Sequence, residues 1–89
     1  MNAPHAVDQR VALSNMPRHQ QARVADVHWD TLSPPEARRL RELGLDEGVR
    51  IELLHRSAFG RGPIACRIGR MTVALRRHIA GAIDVIPAA

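Results

Sequence analysis

The stretch SPPEARRLRELGLDEG, from Ser33 to Gly48, begins and ends a helix without help from the rest of the chain. It therefore confines that helix to one short element. The Ser33 hydroxyl is placed to accept from first-turn amides, which have no carbonyl partners inside the helix. Pro34 follows at the first helical position, where its missing N–H costs nothing. Glu36, three residues after the cap, completes a capping box. Ala37, Leu40, Leu43 and Leu45 form an apolar stripe, with Arg38, Arg39, Arg41 and Glu42 on the other faces. Gly44 is expected to take the left-handed conformation that stops a helix, with Leu45 folding back onto the stripe.

Beyond Gly48 the pattern changes from helical to alternating. Val49, Ile51 and Leu53 alternate with Arg50, Glu52 and Leu54, the signature of a half-buried strand. SAFGRGP at 57–63 is a loop. Ile64, Cys66 and Ile68 mark a second strand, and Met71, Val73 and Leu75 a third. Gly69-Arg70 between them predicts a two-residue hairpin turn of type II′. RRHIAG at 76–81 breaks the alternation and reads as a helical turn, and AIDVI at 82–86 is a last strand stopped by Pro87. Upstream, ARVADVHW at 22–29 is the first strand. Val24 and Val27 can both face inward only if it bulges near Ala25–Asp26.

Leu13 and Met16, halted by Pro17, read as an anchor lying on the domain. Residues 1–12 show no periodicity and are expected to be a disordered lead-in. The domain then occupies 13–87. The prediction is a mainly β chain of five strands, with one α-helix inserted after the first strand and a helical turn before the last. So many short strands cannot stay flat and still bury a core. They are predicted to curl into a small barrel without exposed edges.

With 89 residues there is room for one domain. A single cysteine, Cys66, excludes an intrachain disulfide. No apolar run approaches the roughly 20 residues that span a bilayer, and MNAPHAVDQR lacks a secretory pattern. A cytoplasmic location is expected. The net charge is +4 and all 13 basic residues are arginine, scattered among acids along the chain. That distribution describes a solvated surface better than a nucleic-acid footprint. Trp29 and Phe59 are the only large aromatics, which argues against base-stacking modules.

No constellation for catalysis is present in the pattern. FGRGP at 59–63 lacks the Lys and Ser/Thr of a phosphate loop. Cys66 alternates in phase with Ile64 and Ile68, so it points inward and packs. The histidines at 5, 19, 28, 55 and 78 show no metal-ligand spacing. His28 and His55, on different strands and with Asp26 as a nearby acid, are the candidates for an adventitious zinc or iron ion, and no cofactor is required. The chain is not expected to be an enzyme. Arg38, Arg39 and Arg41 on the helix, with Arg76 and Arg77 after the third of the later strands, are the candidate docking face for an acidic partner. The competing reading pairs them locally, Arg38 with Glu42 for instance. Phe59 at a loop tip is a second candidate contact, and an exposed Leu54 would serve a homodimer.

RRLRELGL at 38–45, VRIELLHRSAFG at 49–60, GPIACRIG at 62–69, MTVALRRHIAGAIDV at 71–85 and MPRHQQARV at 16–24 together resemble the FeoA family of bacterial ferrous iron transport. The resemblance implies an SH3-like barrel and an accessory role without enzymatic activity, acting on the cytosolic GTPase part of the membrane permease FeoB. The alternative reading is a small metal-binding sensor or carrier. The chain departs from the family pattern at three turns. Glu47-Gly48 replaces Pro-Gly, His19-Gln20 stands where a glycine precedes the first strand, and Arg70 or Met71 replaces a turn aromatic.

Overall fold

A computed structural model describes residues 9–57 and 62–88. The helix α1 covers Pro34–Glu42 and is punctuated as its sequence requires. Ser33 Oγ accepts from the Glu36 N–H at 3.3 Å, and Glu36 Oε1 accepts from the Ser33 N–H at 2.9 Å. At the other end Gly44 sits at φ +80°. The Leu45 N–H reaches the Leu40 carbonyl at 3.1 Å and the Gly44 N–H reaches that of Arg41 at 3.0 Å. This pair of bonds is the Schellman closure, and it turns Leu45 into the core, where it is 1% exposed.

The strands are β1 (Val11–Ala12), β2 (Gln21–Val27), β3 (Arg50–Arg56), β4 (Ile64–Ile68), β5 (Met71–Leu75) and β6 (Ile83–Pro87), with a short helix α2 (Arg77–Gly81) before the last. They form one antiparallel sheet in the order β1-β6-β2-β3-β4-β5. The sheet wraps one core cluster drawn from β2 to β6, both helices and the turn at Leu13–Asn15. Residues Leu40, Leu53, Ile64, Ile83 and Val85 are fully buried in it.

The β2–β6 register shifts between Val24 and Asp26, so the expected bulge is present and both valines are buried. The β4–β5 turn places Gly69 at φ +60° with Arg70 at negative φ, as type II′ requires.

Four expectations are corrected. There are six strands instead of five, because Val11 and Ala12 pair with Val85 and Asp84 inside the stretch expected to be a lead-in. Leu13 and Met16 do not merely lie on the domain; both are fully buried. Curling does not remove the edges, since β1 and β5 stand at the margins of the sheet. Leu54 is half-buried, because β3 bulges between Leu53 and His55 and rotates it off the exposed face.

One arginine is part of the framework. The Arg56 guanidinium, at the end of β3, donates to the carbonyls of Ser14, at 3.2 Å, and Met16. It closes the N-terminal turn onto the sheet.

Candidate functional site

Burial of Ala37, Leu40 and Leu43 dictates which face of α1 meets solvent. Arg38, Arg39 and Arg41 are all on that exposed face. A hydrogen bond joins α1 to α2: His78 Nε2 donates to Glu36 Oε2 at 2.7 Å. Ile79 and Ala80 pin α2 to the core and leave Arg76 and Arg77 exposed beside that junction. The two arginine groups singled out in the sequence are thus carried by elements tied to each other through Glu36.

Glu36 is held ionised for this task. The Ser33 backbone N–H, and then His78, keep its carboxyl below the usual carboxylate range, against a small opposing effect of burial. A carboxylate in the first turn of a helix also meets the positive end of the helix dipole.

The arginines themselves are largely unneutralised. Among the described residues none of Arg38, Arg39, Arg76 and Arg77 takes part in an ion pair, so the local pairing of Arg38 with Glu42 does not form. Arg41 differs from its neighbours. Its guanidinium carbon lies 4.4 Å from the centroid of the Trp29 ring, a cation–π stack that fixes it to the turn before α1. Asp26, Asp46 and Glu47 line a cleft of about 360 Å³ beside Val27, Trp29 and Leu45. Exposed Glu42 on α1 and this cleft, which shares Trp29 with Arg41, border the arginines on that side.

The other candidates are not brought together. His28 Nε2 lies 2.8 Å from Asp84 Oδ2. That hydrogen bond, with the Asp84 charge and smaller contributions from Asp26 and Asp30, raises the His28 pKa against the effect of desolvation. His55 sits on β3 opposite Ala65. Because β2 and β3 pair antiparallel as Gln21–Glu52 to Arg23–Arg50, His28 and His55 run off in opposite directions. Among the described residues no group of three His, Cys, Asp or Glu side chains is placed to hold a metal ion. Phe59 lies outside the described residues.

Cys66 is fully buried, and burial pushes its thiol up to about 11. A thiol in that state supplies packing and no nucleophile.

Three functional or framework contacts were not visible in the sequence. Glu36–His78 and Arg56–Met16 join residues 42 and 40 positions apart, and Arg41–Trp29 crosses a turn. None has a local sequence signal, since Trp29 lies in the turn before α1 and outside the helix that carries Arg41.

Comparison with known proteins bears on the whole domain. The model of the FeoA domain family matches residues 11–87. No curated protein sequence matches the chain significantly. Among solved structures, the solution structure of FeoA from Chlorobium tepidum is 30% identical at a TM-score of 0.77, over 89% of this chain and 71% of that one. FeoA from Stenotrophomonas maltophilia, solved with zinc and described as a prokaryotic SH3 domain protein, is 33% identical at a TM-score of 0.72, over 84% and 88%. A manganese-dependent transcriptional repressor contains a similar module, 25% identical at a TM-score of 0.76, over 89% of this chain and 42% of the repressor. With the family pattern spanning every strand and both helices, and relatives folded as the same SH3-like domain, this chain belongs to the FeoA family, which is linked to ferrous iron transport.

Proposed function

We propose that this protein is a cytoplasmic accessory factor of ferrous iron uptake that docks, through the arginines of α1 and α2, on an acidic surface of the FeoB-type permease's cytosolic GTPase part. Membership of the FeoA family supports the pathway. The observation that carries the docking face is the set of exposed arginines without ion pairs on two elements joined by Glu36 and His78. An exposed, unneutralised arginine keeps its planar fork available for carboxylates, and several together steer an acidic partner at long range. Arg38, Arg39, Arg76 and Arg77 supply the charge, whereas Arg41 is held against Trp29 and shapes the edge of the face.

No helix of the described residues is long and apolar enough to cross a membrane, so on this reading the permease supplies the membrane part. The test is amide mapping by NMR as the isolated GTPase domain is added. The proposal expects the perturbed amides to cluster on α1 and α2. Perturbation confined to β3 and β4, with α1 silent, would reject the face.

A further inference from the structure

The sheet has two margins of unequal length. β1 is two residues long, whereas β5 runs for five residues, Met71–Leu75, with β4 on one side. Among the described residues nothing is hydrogen-bonded to its other side. The hairpin decides which groups are left over. Residues flanking a two-residue turn exchange both backbone bonds, and the pattern then alternates. Ile68–Met71, Cys66–Val73 and Ile64–Leu75 are therefore the bonded pairs, with no bulge between them. Thr72 and Ala74 turn their N–H and C=O groups to the free margin, and their side chains are exposed.

Natural edge strands are ordinarily blunted by charge, proline or a bulge. MTVAL carries none of these. Charge stands just outside the strand instead, Arg70 before it and Arg76 and Arg77 after it, all exposed.

That arrangement selects the occupant. A second copy paired antiparallel in the fully overlapping register sets Arg70 opposite Arg76 of the other copy at both ends, and like charges directly opposed across strands repel. A segment with carboxylates at its ends meets complementary charge at both. We propose that the free edge of β5 binds, by antiparallel strand addition, an extended segment of a partner protein. That segment carries an uncharged stretch of about five residues, roughly 17 Å long, between acidic residues. Beside Arg76 and Arg77 lies a groove of about 680 Å³ lined also by Gly62, Pro63 and His78. Backbone bonds to Thr72 and Ala74 supply the affinity and the flanking arginines the selection. This goes beyond the docking face above, and its test uses no permease domain.

The probe is the synthetic peptide acetyl-Glu-Glu-Val-Thr-Val-Thr-Val-Glu-amide, with its lysine-for-glutamate counterpart and a version N-methylated at alternate residues. The readout is amide hydrogen exchange of the whole protein by NMR. The expected result is at least tenfold slower exchange at Thr72 and Ala74 with the acidic peptide, and no effect from the N-methylated one. Thr72→Pro, which removes an outward N–H and leaves the β4 ladder bonds in place, should weaken binding tenfold or more. The paired change Arg70→Glu with Arg76→Glu keeps the edge and should shift preference to the lysine peptide, so the idea stays testable if the proline variant does not fold. Equal binding of the acidic and lysine peptides overturns the charge assignment. Protection of Thr72 and Ala74 that grows with protein concentration alone overturns the choice of occupant. Unchanged exchange with every peptide overturns the site.

Discussion

Leu40 packs α1 onto the core through its side chain while its carbonyl closes the helix end, so Leu40→Ala isolates the side-chain share. The residue is fully buried. Alanine removes three carbon groups, a transfer loss of about 2.4 kcal/mol at about 0.8 kcal/mol each. The unfilled space adds to this, and comparable substitutions cost about 2.7–5 kcal/mol. A loss of about 3–4 kcal/mol is therefore expected, out of roughly 4–13 kcal/mol for a domain of this size. It should lower the melting temperature by roughly 12–30 °C. Urea denaturation followed by Trp29 fluorescence measures it, because that ring packs on the core beside α1 and under Arg41. Leu43→Ala, at a site 9% exposed, should cost less. Arg39→Ala, on the solvent face, should stay within about 0.5 kcal/mol. A Leu40→Ala cost below about 1 kcal/mol would refute the view that α1 is clamped across the sheet by its apolar stripe.

Other perturbations probe separate joints. His19, at φ +66°, adopts the left-handed conformation that favours glycine. His19→Gly should stabilise the fold by about 0.5–1 kcal/mol by calorimetry, the relief of that conformation less glycine's greater unfolded freedom; destabilisation would show that the His19–Glu52 contact at 3.8 Å matters more. Arg56→Met should cost about 1.5–3 kcal/mol, the range for bonds from a charged donor, with Arg56→Lys recovering part of it; equal losses would mean that the bonds to Ser14 and Met16 are incidental. The raised His28 pKa makes a contribution that is complete below its unfolded value, about 6.5, and is lost as pH rises through the folded value. His28→Gln should therefore lower the melting temperature more at about pH 5.5 than at about pH 8.5; the reverse order would contradict the His28–Asp84 geometry.

Local structure was legible in the sequence wherever its cause was local. Both ends of α1, the bulge after Val24 and the Gly69 turn each follow from a few adjacent residues, and each is found. What escaped was decided by distant partners. Val11–Ala12 is too short to show alternation and becomes strand only because β6 offers a margin. The second bulge leaves no mark in IELLHR, where Leu54 reads equally well as an exposed residue. The candidate arginines were visible as residue types, but which of them are available was not. Trp29 takes Arg41, while among the described residues Arg38 and Arg39 form no ion pair. The His28–His55 idea failed because strand register, which residue spacing does not encode, sends the two apart.

On the proposed reading, the arginines of α1 and α2 that form no ion pair among the described residues dock the permease's GTPase part. Calorimetric titration of this protein, and of its Arg38→Glu, Arg39→Glu double variant, onto that isolated domain tests it most directly. The unaltered protein should bind, with affinity at least tenfold weaker in the double variant and falling with added salt, since exposed charge is screened. Equal affinity of the two proteins, or no binding by the unaltered one with or without nucleotide, would contradict it.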